Sequence, residues 1–128
     1  TDPAEAARFA RETQVDAMAI SVGNVHLQQN KEGGLDEDRI RAIEAATDVP
    51  LVIHGGSGVP VNQRKRLAQT SNICKFNIGT ELRMAFGTSL RKALADDADV
   101  FDRVQILKQI EPDLVTAARR VLRGLAAD

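Results

Sequence analysis

The sequence predicts an α/β fold of three parallel βα units, with one helix before them and one after. Two observations carry this. Short apolar, β-branched runs alternate with helix-patterned segments at a period of about 30 residues. Strands and helices alternating at that spacing form parallel βα units. The runs are also nearly continuous in apolar character, as parallel strands covered on both faces are.

The elements follow in order. Pro3 to about Thr13 is alanine-rich, with Pro3 suited to a first helical turn. Val15–Ser21 reads as the first strand, and the polar stretch Gln28–Gly34 as the most loop-like part of the chain. Asp36–Ala46 places Ile40 and Ile43 on one helical face. The second strand is Val49–His54, followed by a helix from Pro60 to about Thr70. The third strand is Ile73–Ile78. Thr80–Ala95 then carries Leu82, Ala85, Phe86, Leu90, Ala93 and Leu94 at three- and four-residue steps. A last helix, about Val104–Leu125, sets Leu107, Ile110, Leu114, Ala117 and Val121 on one stripe. Pro112 within it predicts a kink or a restart. Three strands cannot close a barrel of eight. The pattern therefore fits a small open sheet or a part of something larger. A start at Thr1, without Met, reads as a missing N-terminal part or a processed terminus.

The 128 residues suffice for one domain, and the net charge of -1 gives no pull toward nucleic acid or membrane. Tyr and Trp are absent, so no stacking platform for bases is expected. No apolar stretch approaches the roughly 20 residues that span a bilayer, and no secretory signal is visible. The single cysteine, Cys74, lies in an apolar run, which predicts a buried thiol and fits a reducing, cytoplasmic location.

Polar residues fall just behind each strand, where α/β folds build their sites. The only two histidines, His26 and His54, occupy equivalent positions behind the first and second strands. Parallel neighbours lie about 4.8 Å apart, so two imidazoles there can share one metal ion, with a third ligand from elsewhere. Each can equally hydrogen-bond within its own loop, and the residues alone leave both open. The turn His54-Gly55-Gly56-Ser57-Gly58 lets backbone N–H groups and a hydroxyl approach an anion, or simply closes a tight turn before Pro60. Asn77-Ile78-Gly79-Thr80 opens a helix, whose free N–H groups and dipole favour an anion. Thr80 can also serve as a plain N-cap, and Asn77 either meets a substrate hydroxyl or carbonyl or completes a turn.

Together these segments resemble the class II fructose-bisphosphate and tagatose-bisphosphate aldolases. The resemblance rests on Thr1-Asp2-Pro3, Gly23 to His26, Pro50 to Gly58 and Lys75 to Arg83, with Val100-Phe101-Asp102 and the terminal helix. It implies that the chain is the C-terminal part of a TIM (β/α)8 barrel, residues 1–128 being that portion of the domain with the N-terminal half absent. It implies Zn2+ held by His26 and His54, and phosphate or ketose contacts from Gly55, Gly56, Ser57, Asn77, Ile78, Gly79 and Thr80. Zinc in this family polarises the ketose carbonyl and stabilises the enediolate. The third zinc histidine and the catalytic aspartate belong to the absent half, so no catalytic acid/base is expected here and the chain alone is expected to be inactive. A homo-oligomer, dimer or tetramer, is implied for the intact protein. One position departs: the family's glycine after the first histidine, which helps hold substrate and a monovalent cation, is Leu27. A leucine side chain disfavours positive φ, which weighs against the cation and the usual bisphosphate.

The expected function is therefore a zinc-dependent aldehyde-lyase of carbohydrate metabolism acting on fructose- or tagatose-bisphosphate. The alternatives are an aldolase for a keto-deoxy sugar-acid phosphate, a non-catalytic sugar-phosphate-binding relative, and an unrelated open-sheet anion-binding domain.

Overall fold

The computed structural model describes residues 1–27 and 34–126. Its elements are α1 (Pro3–Thr13), β1 (Met18–Ile20), α2 (Glu37–Ala46), β2 (Leu51–Ile53), a 3-10 turn at Gly56–Gly58, α3 (Val61–Thr70), β3 (Ile73–Phe76), α4 (Thr80–Asp96) and α5 (Arg103–Arg123). The strands form one parallel sheet in the order β1-β2-β3. All are shorter than the apolar runs predict, and most of the expected Gln28–Gly34 loop lies outside the described residues.

Local sequence explains most helix starts. Asp2 caps α1, its carboxylate accepting from Ala4 N–H at 2.9 Å and Glu5 N–H at 3.1 Å, with Pro3 in the first turn. Asp36 caps α2 by accepting from Arg39 N–H at 2.9 Å, and Asp102 caps α5 by accepting from Val104 N–H at 2.7 Å. The N-cap of α4 is Gly79, with no side-chain cap bond, so Thr80 is the first helical residue and not the cap.

One core joins the sheet to the helices. Met18, Ile20, Leu51, Ile53 and Ile73 pack against Ala6, Ile40, Ile43, Val59 and Leu67. Ile43 is fully buried, so Ile43→Ala is expected to cost roughly 2–5 kcal/mol. The two outer strands do not bury both faces: Ala19 of β1 and Cys74 and Lys75 of β3 are exposed. The central strand β2, by contrast, is buried at all three of its residues. The expected burial of Cys74 is therefore corrected: its thiol is exposed, with Sγ 3.4 Å from the Leu51 carbonyl. An irregularity adds to this. Leu51 pairs with Ile73 but Val52 pairs with Lys75, so Cys74 is the extra residue of a bulge.

Two further details emerge. Of the kink or restart expected at Pro112, the restart is absent: α5 runs through it as one helix. Pro112 lies on the exposed side, where water can serve the carbonyl it cannot bond. Helix α4 packs chiefly on α5, burying Ser89 and Ala93 and leaving Phe86 and Leu94 substantially exposed. Ser89 donates to Asp113 at 2.7 Å across that contact.

Candidate functional site

The C-terminal ends of the three strands open onto one side of the sheet, and the polar segments collect there. A cavity of about 330 Å³ is lined by His26, Leu27, Gly55, Ser57, Asn77, Ile78, Gly79, Thr80 and Arg83. All residues expected at the site line it except His54 and Gly56.

His54 is nonetheless adjacent. Its ring centroid lies 5.7 Å from that of His26, with the planes at 67°. Two imidazole nitrogens can bind one ion at about 2.0–2.1 Å each from such a separation, so the pair fits two ligands of a shared divalent metal. No group of three or more His, Cys, Asp or Glu side chains among the described residues could hold a metal. Asn77 Nδ2 lies 3.1 Å from Nε2 and 3.4 Å from Nδ1 of His54. The amide donates to whichever ring nitrogen is unprotonated, and it would yield that lone pair to a metal.

Asn24 fixes the relation between the two histidine-bearing strand ends. Its Nδ2 donates to the Ile20 carbonyl at 3.2 Å and to the His54 carbonyl at 3.0 Å, while its Oδ1 accepts from Val22 N–H at 2.8 Å. Gly23 beside it has φ +95°. The sequence reading missed this role, although an Asn two residues before a candidate ligand in a tight turn is a usable signal.

The glycine turn is shaped by contact with both neighbours. Gly55 has φ +65°, and a Cβ there would meet the Val25 carbonyl oxygen at 2.5 Å. Gly56 turns inward: its N–H donates to the Asn77 carbonyl at 3.0 Å, and Asn77 N–H donates to the Ile53 carbonyl at 2.8 Å. Ser57 is buried but borders the cavity, and its Oγ accepts from Glu81 N–H at 3.2 Å. Behind the turn, buried Arg64 donates to Glu81 Oε1 at 2.7 Å and to the Gly56 carbonyl at 3.3 Å. The sequence reading missed Arg64, because a charge on an amphipathic helix reads as solvent-facing. It also passed over Arg83, one turn into α4, whose guanidinium lies about 3.4 Å from where a Cβ on Gly79 would sit.

Leu27 adopts φ +62° despite its side chain. The left-handed backbone expected to require glycine is therefore present with leucine, at a local cost of about 1–2 kcal/mol. Its side chain is largely exposed and borders the cavity.

Beyond residues 28–33 the chain is moored to α3. Gln63 accepts from Leu35 N–H at 2.8 Å and donates to the Leu35 carbonyl at 3.0 Å and to Glu37 at 2.8 Å. Arg66 also pairs with Glu37. The hydrogen bonds from Arg66 and then Gln63 hold the Glu37 carboxyl below its ordinary value. Among the described residues no helix is long and apolar enough to cross a membrane.

Comparisons with known proteins bear on the family and the fold. The family described as class-II fructose-bisphosphate aldolase matches residues 1–127. The chain is similar to the YdjI aldolase from Escherichia coli K12, at 27% identity and a TM-score of 0.76, over 100% of this chain and 45% of that one. It is also similar in fold to a Coccidioides immitis protein provisionally described as a fructose-1,6-biphosphate aldolase. That match has 21% identity and a TM-score of 0.72, over 98% of this chain and 42% of the other. The chain thus spans less than half the length of these structures.

Proposed function

This chain belongs to the class II fructose-bisphosphate aldolase family, and from that premise we propose that it is the C-terminal portion of a zinc-dependent aldolase barrel, supplying two metal ligands and the phosphate-binding loops. The reaction is cleavage and condensation of a phosphorylated ketose of the fructose- or tagatose-bisphosphate type, giving dihydroxyacetone phosphate and an aldehyde. The intact enzyme is a cytoplasmic homo-oligomer of carbohydrate metabolism.

The observation that carries this reading is the meeting of the His26 and His54 rings, 5.7 Å apart, beside a cavity lined by Ser57 and the first turn of α4. His26 and His54 would hold Zn2+, with a third ligand from elsewhere. When bound, the metal supplies a Lewis acid that polarises the ketose carbonyl. Ser57 donates its hydroxyl, and the first turn of α4 those N–H groups not taken by Ser57 Oγ, to a substrate phosphate. Gly55 and Gly79 let that phosphate approach the backbone, and Gly56 holds the turn in place. Asn77, already within reach of His54, orients a hydroxyl or carbonyl of the substrate. Ile78 and Thr80 complete the wall. The third ligand and the acid/base come from outside these residues.

The test is metal removal on the full-length protein with a panel of phosphorylated ketoses. Cleavage that disappears with a chelator and returns with Zn2+ is expected. Cleavage indifferent to the chelator would refute the reading.

Leu27 favours a second substrate class. It borders the cavity where the family has glycine, and so narrows the space beside His26. A keto-deoxy sugar-acid phosphate then becomes the better substrate. Under that reading Leu27→Gly shifts kcat/KM toward ketose bisphosphates. An unchanged preference would retain the first reading.

A further inference from the structure

We propose that Arg64 is a positioning residue for the anion end of the cavity, an inference that rests on the phosphate reading above. It is 1% exposed and is among the largest fully buried side chains of the described structure. Its Nε is buried without a hydrogen-bond partner. A buried guanidinium left partly unsatisfied is a poor device for stability alone, because apolar side chains of similar volume often serve as well or better.

What Arg64 does that an apolar residue cannot is join two elements. Its Nη1 lies 2.7 Å from Glu81 Oε1, on the first turn of α4, and 3.3 Å from the Gly56 carbonyl, in the glycine turn. Glu81 N–H donates to Ser57 Oγ at 3.2 Å, so the same two elements are joined a second time. That bond has a consequence for Ser57. Its oxygen already accepts from the helix, so its hydroxyl hydrogen is free to point toward the cavity that the residue borders. The two groups of anion donors, the Ser57 hydroxyl and the α4 first turn, therefore sit on separate elements that Arg64 holds in register from behind. Arg64 does not line the cavity and touches no substrate.

The test uses the full-length protein with inorganic phosphate as the probe, read by calorimetry. The double variant Arg64→Met with Glu81→Met replaces the ion pair by apolar groups, so that neither charge of the pair is left buried without the other. It is expected to bind phosphate about tenfold more weakly, the loss of one charge-assisted hydrogen bond. Its zinc content stays unchanged, and KM rises for the phosphorylated substrate with little change in kcat. Arg64→Lys, whose single ammonium keeps only one of the two contacts, is expected to weaken phosphate about threefold. Unchanged phosphate affinity in the double variant overturns the inference; if that variant does not fold, the same result in Arg64→Lys overturns it. Ser57→Ala separates the two levels. Weakened phosphate binding there, with none in the Arg64 variants, leaves the phosphate reading standing without Arg64. Absence of phosphate binding by the unaltered protein overturns both.

Discussion

The side-chain amide of Asn24 donates to the backbone carbonyl of His54 at 3.0 Å, across the gap between the ends of β1 and β2. The same amide group also holds Ile20 and Val22, so one side chain ties the loop bearing His26 to the residue that supplies the second imidazole. Asn24→Ala is therefore expected to affect metal binding through geometry. Each lost hydrogen bond contributes about 0.5–1.5 kcal/mol, and loosened support for a ligand typically lowers metal affinity about 10- to 100-fold. A chelator-competition titration with Zn2+ and a thermal melt of the full-length protein measure the two effects. Unchanged zinc affinity in a folded Asn24→Ala would dismiss this coupling.

Gly55 couples the same two loops by exclusion. Its φ of +65° disfavours any side chain, and an added Cβ would meet the Val25 carbonyl at 2.5 Å. Gly55→Ala must push the His26 loop away from the glycine turn, so a loss of about 1–3 kcal/mol in stability is expected together with reduced zinc occupancy. Gly34→Ala is the control. A Cβ there makes only ordinary contact with Gln63, at 3.5 Å, and stability should hold. Similar melting temperatures for both variants would show that the close approach does not constrain the loop.

The metal and phosphate roles separate by substitution. His54→Ala in the full-length protein should remove a zinc ligand, and turnover should collapse even at saturating substrate. Ser57→Ala should keep its zinc and mainly raise KM, because the grip on a remote phosphate is largely the same in ground and transition states. A hydrogen bond to a charged group contributes about 1.5–3 kcal/mol, so kcat/KM should fall roughly 10- to 150-fold. Zinc analysis and steady-state kinetics on both variants decide it. Full zinc occupancy in His54→Ala, or zinc loss in Ser57→Ala, would mean the roles are reversed or wrong.

Glu37 gives a pH dependence to the contact between α2 and α3. Its carboxyl is held below the ordinary value by hydrogen bonds from Arg66 and Gln63. A depressed carboxylate contributes stability that is fully present above the unfolded value of about 4.3 and is lost as pH falls through the folded one. The α2–α3 clasp should therefore weaken below about pH 4.3. Glu37→Gln should flatten that part of the stability profile while lowering stability near neutrality. Denaturant melts at stepped pH provide the measurement, and parallel acid limbs for both proteins would count against it.

Much of the fold was legible because its signals are local. Asp2-Pro3 and Asp36 announce helix starts through bonds to N–H groups two or three residues on. The β-branched runs Val15–Ser21, Val49–His54 and Ile73–Ile78 place the polar residues at or just behind their ends on one side of a parallel sheet, because βα units all run the same way. The order of elements, the parallel pairing and the residues gathered at the strand ends were thus determined by the sequence itself. Other features depended on contacts between distant segments. The slip between Leu51 and Val52 makes Cys74 a bulge residue and exposes it. Only the sheet order, with β1 and β3 at its edges, decides which strands keep exposed residues and that β2 alone is buried throughout. Leu27 adopts positive φ against its own side-chain preference, which no local signal announces. Arg64 carries no local mark of burial; it is drawn inside because Gly56 and Glu81, 8 and 17 residues away, present acceptors to it there. Backbone propensity acts within a turn or two, whereas register, coverage and the partners of a buried charge are set when separate elements meet, and that meeting was decided by the tertiary structure alone.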